Sequence, residues 1–216
     1  MNTMLPRVGI GHDRHRLVLG KGFRLGGVFI PFDHALLGHS DADVLLHAVT
    51  DAVLGAAAMG DIGDMFPDTD AANANRSSID MLRQAYAKVR ELGWGVRNVD
   101  CIVFAERPKL ANYKTEIARS IAQALEITPQ QVNVKAKTGE GIGPVGEGVI
   151  IEAQSVVLIV PTRTQGEGLK TLFAARPIPA AVTMNASPIL RTPRIQTEPV
   201  ANDPVPLAQE TYPPET

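Results

Sequence analysis

The stretch Gly-Glu-Gly-Ile-Gly-Pro-Val-Gly-Glu-Gly (residues 139 to 148), with Val-Ile-Ile-Glu-Ala-Gln-Ser-Val-Val-Leu-Ile-Val (149 to 160) behind it, is where the fold class turns. Gly141-x-Gly143-x-x-Gly146 matches the dinucleotide fingerprint letter for letter, but that fingerprint has to open a helix. Here it is followed by an apolar, β-branched run from Val149 to Val160, which predicts a strand. The glycines then read either as a connector between two strands or as a loop whose amides approach a phosphate. A doubly wound nucleotide-binding sheet is not expected.

Upstream, Val8 to Gly11 is a short strand signal, and Phe23 to Leu25 and Val28 to Ile30 flank Gly26-Gly27, a two-residue hairpin signal. Ser40, with Asp43 three positions on and Val44, Leu45, Ala48, Ala52 and Val53 behind it, predicts a helix capped by Ser40, running toward Met59 and stopped by Gly60. Ile79, Leu82, Tyr86 and Val89 repeat at helical spacing before Gly93, and Ile117, Ile121 and Leu125 mark a third helix over 114–125. Val99 to Phe104 and Val132 to Lys137 complete the strands. Three helices among five or six strands do not alternate regularly, which favours a two-layer α+β domain with a mixed sheet and helices on one face.

The chain has 216 residues, 44% hydrophobic and 20% charged, with a formal net charge of -2, an ordinary globular composition for one domain. That balance supplies no basic stripe, so nucleic acid is not an expected partner and any phosphate must be met locally. Cys101 is the single cysteine, which excludes an internal disulfide and fits a reducing, cytoplasmic setting. No apolar leader precedes residue 15 and no run approaches the roughly 18 residues of a membrane span, so no membrane partner is expected. Nine of the 16 prolines fall in residues 162–216, with only Phe173 and Tyr212 as aromatics. This predicts a folded domain over residues 5–161 and a proline-rich, disordered tail over 162–216.

All five histidines, His12, His15, His34, His39 and His47, lie in the first 47 residues among Asp13, Asp41, Asp43 and Asp51. Asp13-x-His15 at a strand end projects both side chains to one face, and His47 on the following helix can complete an Asp/His/His set with a fourth position open, the pattern of a catalytic zinc. Asp43 and Asp51, four residues either side of His47, are candidates to hold its free ring nitrogen. The same residues also read as scattered polar groups at a strand end and a helix interface. Likewise, Asp61-Ile62-Gly63 and Phe66 to Asp70 read as a turn-rich loop whose carboxylates are ordinary loop vocabulary.

Taken together, Gly11-His-Asp-Arg-His15, Gly38-His-Ser-Asp-Ala-Asp-Val-Leu-Leu-His47, Gly60-Asp-Ile-Gly-Asp-Met-Phe-Pro-Asp-Thr-Asp70 and Asn133-Val-Lys-Ala136 closely resemble the 2-C-methyl-D-erythritol 2,4-cyclodiphosphate synthases, from about Arg7 to Val160. The resemblance implies an enzyme of the non-mevalonate isoprenoid pathway, a phosphorus–oxygen lyase. Its reaction turns 4-diphosphocytidyl-2-C-methyl-D-erythritol 2-phosphate into the cyclic diphosphate and CMP. It further implies a zinc ion per subunit on Asp13, His15 and His47, and a second divalent ion, Mg2+ or Mn2+, reached by Glu140 beside the diphosphate. His39 and Thr138 match positions of transition-state stabilisation. Asp13, His15, His39 and Ser40 match substrate-binding positions, and Asp61, Ile62, Gly63, Phe66, Pro67, Asp68, Thr69 and Asp70 match the methylerythritol pocket. Ala105, Glu106, Arg107, Pro108, Lys109, Leu110 and Ala111 match a cytidine-binding loop, and Lys137, Thr138, Gly139 and Glu140 a phosphate-side segment. Lys137 departs from the threonine common in the family, which leaves a long cation beside Thr138.

The family is homotrimeric, with sheets around a central cavity and active sites between subunits, so apolar strand faces such as Val156 to Val160 are expected to be buried there. The few residues before Arg7 leave no room for a fused cytidylyltransferase. Two other readings stand beside this one: a non-catalytic trimeric scaffold binding isoprenoid phosphates, and a different zinc-dependent phosphoesterase.

Overall fold

The computed structural model describes residues 5–162 except 68, 71, 72, 74 and 75. The proline-rich segment 163–216 and the site candidate Asp68 therefore lie outside the described residues. Seven strands, β1 (Arg7–Leu19), β2 (Phe23–Leu25), β3 (Val28–Ile30), β4 (His34–Leu37), β5 (Trp94–Phe104), β6 (Val132–Lys137) and β7 (Ile150–Pro161), accompany five helices. These are α1 (Val44–Ala57), α2 (Ile62–Met65), α3 (Ser78–Glu91), α4 (Lys114–Ala124) and α5 (Gly143–Gly146). One mixed sheet has the order β4-β1-β7-β5-β6, with β5 and β6 parallel and the other neighbours antiparallel; β2 and β3 form a separate hairpin. The architecture is the α+β one expected. Among the described residues, no helix is long and apolar enough to cross a membrane.

Alternation along β7 explains the layering. Ile151, Ala153, Ser155, Val157 and Ile159 are buried against the helical layer, while the residues between them turn to the other side. In β1 the helix-side positions are Gly9, Gly11, Asp13 and His15, and α1 lies across β1 and β7. A Cβ on Gly9 would fall 2.0 Å from the Ala52 carbonyl oxygen, and one on Gly11 2.0 Å from the Ala48 carbonyl oxygen. Glycine in the strand and alanine on the helix thus let two backbones meet where larger side chains would hold the layers apart.

Several local expectations need correction. Helix α1 begins at Val44, and its N-cap is Asp43 rather than Ser40: the Asp43 carboxylate accepts from Leu46 N–H at 3.0 Å, and also from Gly26 N–H at 2.8 Å and Gly27 N–H at 2.7 Å. A carboxylate, whose two oxygens serve all three backbone donors at once, outcompetes a hydroxyl, whose single oxygen cannot reach them all. The helix ends at Ala57 with Ala58 as a left-handed cap, before Gly60. Asp43 is therefore a structural joint between the hairpin and α1, and is not available to hold His47. Asp51 is engaged elsewhere too, accepting from Ile62 N–H at 2.8 Å. The strand signal at Val8 to Gly11 is the apolar third of a 13-residue strand, and the glycine-rich loop contains the single turn α5.

Gly11→Ala is expected to lower unfolding stability by about 2 to 3 kcal/mol, because the added methyl must push α1 off β1. Gly55→Ala, on an exposed position of α1 whose added Cβ has its nearest neighbour at 3.9 Å, is expected to raise it by about 1 kcal/mol through helix propensity. Urea unfolding of the two variants checks both signs.

Candidate metal centre

The period of two that aims Gly9 and Gly11 at α1 also aims Asp13 and His15 at the start of that helix, where His47 sits one turn in. Three ligand atoms meet there. Asp13 Oδ2 lies 2.9 Å from His47 Nδ1 and 3.0 Å from His15 Nε2, and the two ring nitrogens are 3.2 Å apart. Ligands at about 2.0 to 2.2 Å from a tetrahedral zinc stand roughly 3.3 to 3.5 Å from one another, so the triangle is close to that size.

The outer partners of the two histidines support the same reading. His15 Nδ1 lies 2.8 Å from the Leu37 carbonyl oxygen. A carbonyl only accepts, so Nδ1 carries the proton and Nε2 of the neutral ring offers a lone pair inward. Burial pushes the Asp13 carboxyl upward, but hydrogen bonds from His15 and His47 and their charge outweigh it and hold the group far below its ordinary range. Burial disfavours the charged form of His15, yet Asp13 and the Leu37 carbonyl raise its affinity for a proton. Once those ring protons are displaced, the three atoms converge as acceptors and repel one another unless a cation lies among them. The donor set suits a divalent ion, and Asp13, His15 and His47 are the described residues that can hold one.

The centre opens into a cleft of about 600 Å3. His39, Ser40, Ile62, Gly63 and Phe66 line it, and so do Asn73 and Met81, which the sequence reading missed. Asp61 is engaged in a helix cap: its carboxylate accepts from Asp64 N–H at 2.9 Å in a capping box that opens α2. Pro67 accepts from Asn73 Nδ2 at 2.9 Å and Asp70 N–H donates to the Pro67 carbonyl at 3.1 Å, so Pro67, Thr69 and Asp70 belong to a hydrogen-bonded loop behind Phe66. The free nitrogen of His47 meets Ser40 and Ser78, not Asp43 or Asp51. Ser78 heads the next long helix in the sequence, 31 residues on, so no local spacing connects it with His47.

The remaining candidates form a second group. Ala105 N–H donates to the Lys137 carbonyl at 2.9 Å, Gly139 N–H donates to Glu106 Oε2 at 3.1 Å, and the Thr138 hydroxyl donates to Glu140. The 105–111 loop and the 137–140 segment are thus tied to each other. Ala105 and Leu110 are buried, whereas Arg107, Lys109 and Ala111 are not. None of residues 105–111 or 137–140 lines the cleft at the metal centre; Glu106 and Arg107 line a separate cavity of about 500 Å3 with Phe32 and His34.

Fold and donor set together define a small α+β protein with a candidate metal centre open to a cleft. The chain belongs to the YgbB family, whose profile matches residues 6–160. It is 46% identical over 159 residues to the 2-C-methyl-D-erythritol 2,4-cyclodiphosphate synthase of Treponema denticola, covering 74% of this chain and 99% of that one. It is 52% identical over 159 residues to the synthase of that name from Ralstonia pickettii, covering 74% and 95%. Among solved structures, IspF of Plasmodium falciparum in complex with CDP is similar at a TM-score of 0.65 and 35% identity, over 74% of this chain and 98% of that one. The bifunctional IspDF of Campylobacter jejuni is similar at 0.70 and 41%, over 72% of this chain and 42% of that one.

His47→Ala is expected to remove the bound divalent ion while the far-UV circular dichroism stays that of the wild type, because the ring is partly exposed at the cleft and its loss leaves the Gly9 and Gly11 contacts intact. Elemental analysis of the purified variant checks it; an unchanged metal content would assign the ligands elsewhere.

Proposed function

We propose that this chain converts 4-diphosphocytidyl-2-C-methyl-D-erythritol 2-phosphate to 2-C-methyl-D-erythritol 2,4-cyclodiphosphate and CMP. The observation that carries this reading is the convergence of Asp13, His15 and His47 on one point at a cleft, in a chain about half identical to synthases of that name. An oxygen of the 2-phosphate forms a bond to the β-phosphorus, the bond from that phosphorus to the bridging oxygen breaks, and CMP leaves with the electron pair. The nucleophile belongs to the substrate, so the work of the protein is to fold two phosphates into line and offset their charge. Such positioning is worth up to about 7 to 11 kcal/mol.

Asp13, His15 and His47 would hold a zinc ion, and Glu140 would reach a second divalent ion, Mg2+ or Mn2+. Ions bound there supply Lewis-acid stabilisation of phosphate charge. His39, exposed at the cleft wall, donates to the phosphates with Ser40. Thr138 acts from the other group, as a donor that follows charge through the transition state. Ile62, Gly63 and Phe66 pack against the methylerythritol, with Asp61 and the loop residues Pro67, Thr69 and Asp70 behind them. Ala105, Glu106, Arg107, Pro108, Lys109, Leu110 and Ala111 receive the cytidine, with Lys137 and Gly139 flanking the phosphates.

The two groups must meet for this reaction, and a homotrimer with active sites between subunits is the assembly that joins the cleft of one copy to the 105–111 loop of the next. The sheet face opposite the helices supports it. Val8 is 66% exposed, Ile10 71% and Val156 42% in the single chain, an apolar face that a second copy would cover. Residues 5–161 form the catalytic unit of a cytoplasmic protein, and the tail over 162–216 takes no part in the reaction.

Purified protein is expected to release CMP from the diphosphocytidyl substrate with zinc and magnesium present and to stop when a chelator is added. Inorganic phosphate as the product, or no turnover with both ions supplied, would overturn the assignment. Truncation after Thr164 is expected to leave both turnover and the trimer mass by light scattering unchanged.

A further inference from the structure

Two serine hydroxyls reach His47 Nε2, the ring nitrogen turned away from Asp13 and His15. Ser40 Oγ lies at 3.0 Å and Ser78 Oγ at 2.9 Å. Their surroundings differ. Ser78 is fully buried, its hydroxyl donates to Asp41 Oδ1, and its backbone N–H donates to Asp41 Oδ2 at 3.2 Å. A carboxylate only accepts and a hydroxyl has one proton, so the Ser78 proton is committed to Asp41 and only lone pairs remain toward His47. The 2.9 Å contact is then a hydrogen bond only with the proton on His47 Nε2. That leaves Nδ1 bare toward Asp13 Oδ2, where the metal would sit. Ser40 lines the cleft and accepts from Ala42 N–H at 3.2 Å, with no carboxylate among the described residues fixing its proton.

We infer that Asp41, Ser78 and His47 form a hydrogen-bonded relay that fixes the tautomer and ring orientation of His47 for metal binding and leaves the Ser40 hydroxyl to the substrate. Ser78 and Asp41 are positioning residues acting through His47. The charged end of the relay strengthens the bonds behind it and raises the basicity of the inward nitrogen. Geometry secures the arrangement from both sides. The Asp41 N–H donates to the Arg76 carbonyl at 3.2 Å, which pins the loop before α1 to the chain entering α3, so the carboxylate and the serine are held by different elements joined at one point.

This inference rests on the metal reading above, and one experiment separates the two. Full-length protein is stripped of metal and titrated with zinc against a chromophoric chelator. Ser78→Ala is expected to weaken zinc binding by about 10- to 100-fold, and Ser78→Thr, which keeps the hydroxyl, to recover most of it. Asp41→Asn, whose amide donates as well as accepts, no longer dictates the direction of the Ser78 proton and is expected to weaken binding as well. Ser40→Ala is expected to change zinc affinity far less. Leu82→Ala, a buried change in the same helix, controls for lost stability: it is expected to lower the melting temperature at least as far as Ser78→Ala while leaving zinc affinity unchanged. Zinc affinity of Ser78→Ala equal to wild type, matched by the loss in Ser40→Ala, or matched by the loss in Leu82→Ala overturns the relay. Wild-type protein without zinc affinity overturns the metal reading itself.

Discussion

The approach of helix Val44–Ala57 onto the strand Arg7–Leu19 is the constraint on which the rest depends. Gly9 and Gly11 have no room for a Cβ, because the carbonyl oxygens of Ala52 and Ala48 occupy that space. Dispersion and apolar burial hold the layers together, but the absence of side chains at these strand positions sets their separation. The separation in turn sets the reach of His47. Beyond Gly11 the same strand face carries Asp13 and then His15, and the ligand triangle closes because helix and strand backbones touch one turn away. A bulkier strand residue would part the two layers and, with them, the ligands of the centre.

Charge organises the site as strongly as packing does. A chain with a formal charge of -2 gathers a carboxylate and two imidazole lone pairs at one point, an arrangement that is unfavourable until a cation joins it. The partners of these groups are chosen by what they cannot do. The Leu37 carbonyl cannot donate, and so turns a lone pair of His15 inward; Asp41 and Ser78 do the same for His47. A near-neutral chain is then compatible with the proposed polyanionic substrate, because a cation held by Asp13, His15 and His47 would supply positive charge at one defined place.

Much of this is legible in the sequence. The hairpin at Gly26-Gly27 has both glycines at positive φ, 61° and 81°, as a two-residue turn between strands demands. The helix read from Ile79, Leu82, Tyr86 and Val89 spans Ser78–Glu91, since a clear apolar stripe survives tertiary packing. The fingerprint match at Gly141 to Gly146 is accidental, as the residues behind it imply: a strand follows. Local reading fails where two nearby residues compete for one role. Ser40 and Asp43 are both good caps, and Gly26 and Gly27 decide between them, because only a carboxylate can serve their N–H groups together with that of Leu46. The short strand His34–Leu37 has four residues with no strong alternation, so its pairing with the first strand carries the information that its own sequence lacks.

The information carried by the order of residues is therefore local and chemical: the periods that make the elements, the donor types that suit a divalent ion, and the motifs that mark the family. Which polar groups face each other follows from packing alone, and it is packing that sorts the candidates. Ser78 lies 31 residues from His47 and Asp41 lies 37 from Ser78, and no periodicity links such positions; two helices and a loop must first pack. Packing also placed Asp13 in the middle of the strand Arg7–Leu19 and not at the strand end that the short apolar signal implied, and it divided the candidate residues into two groups, since sheet order and not distance along the chain fixes where Asp13 and Thr138 lie. Side-chain chemistry is written residue by residue, whereas proximity is a property of the packed backbone.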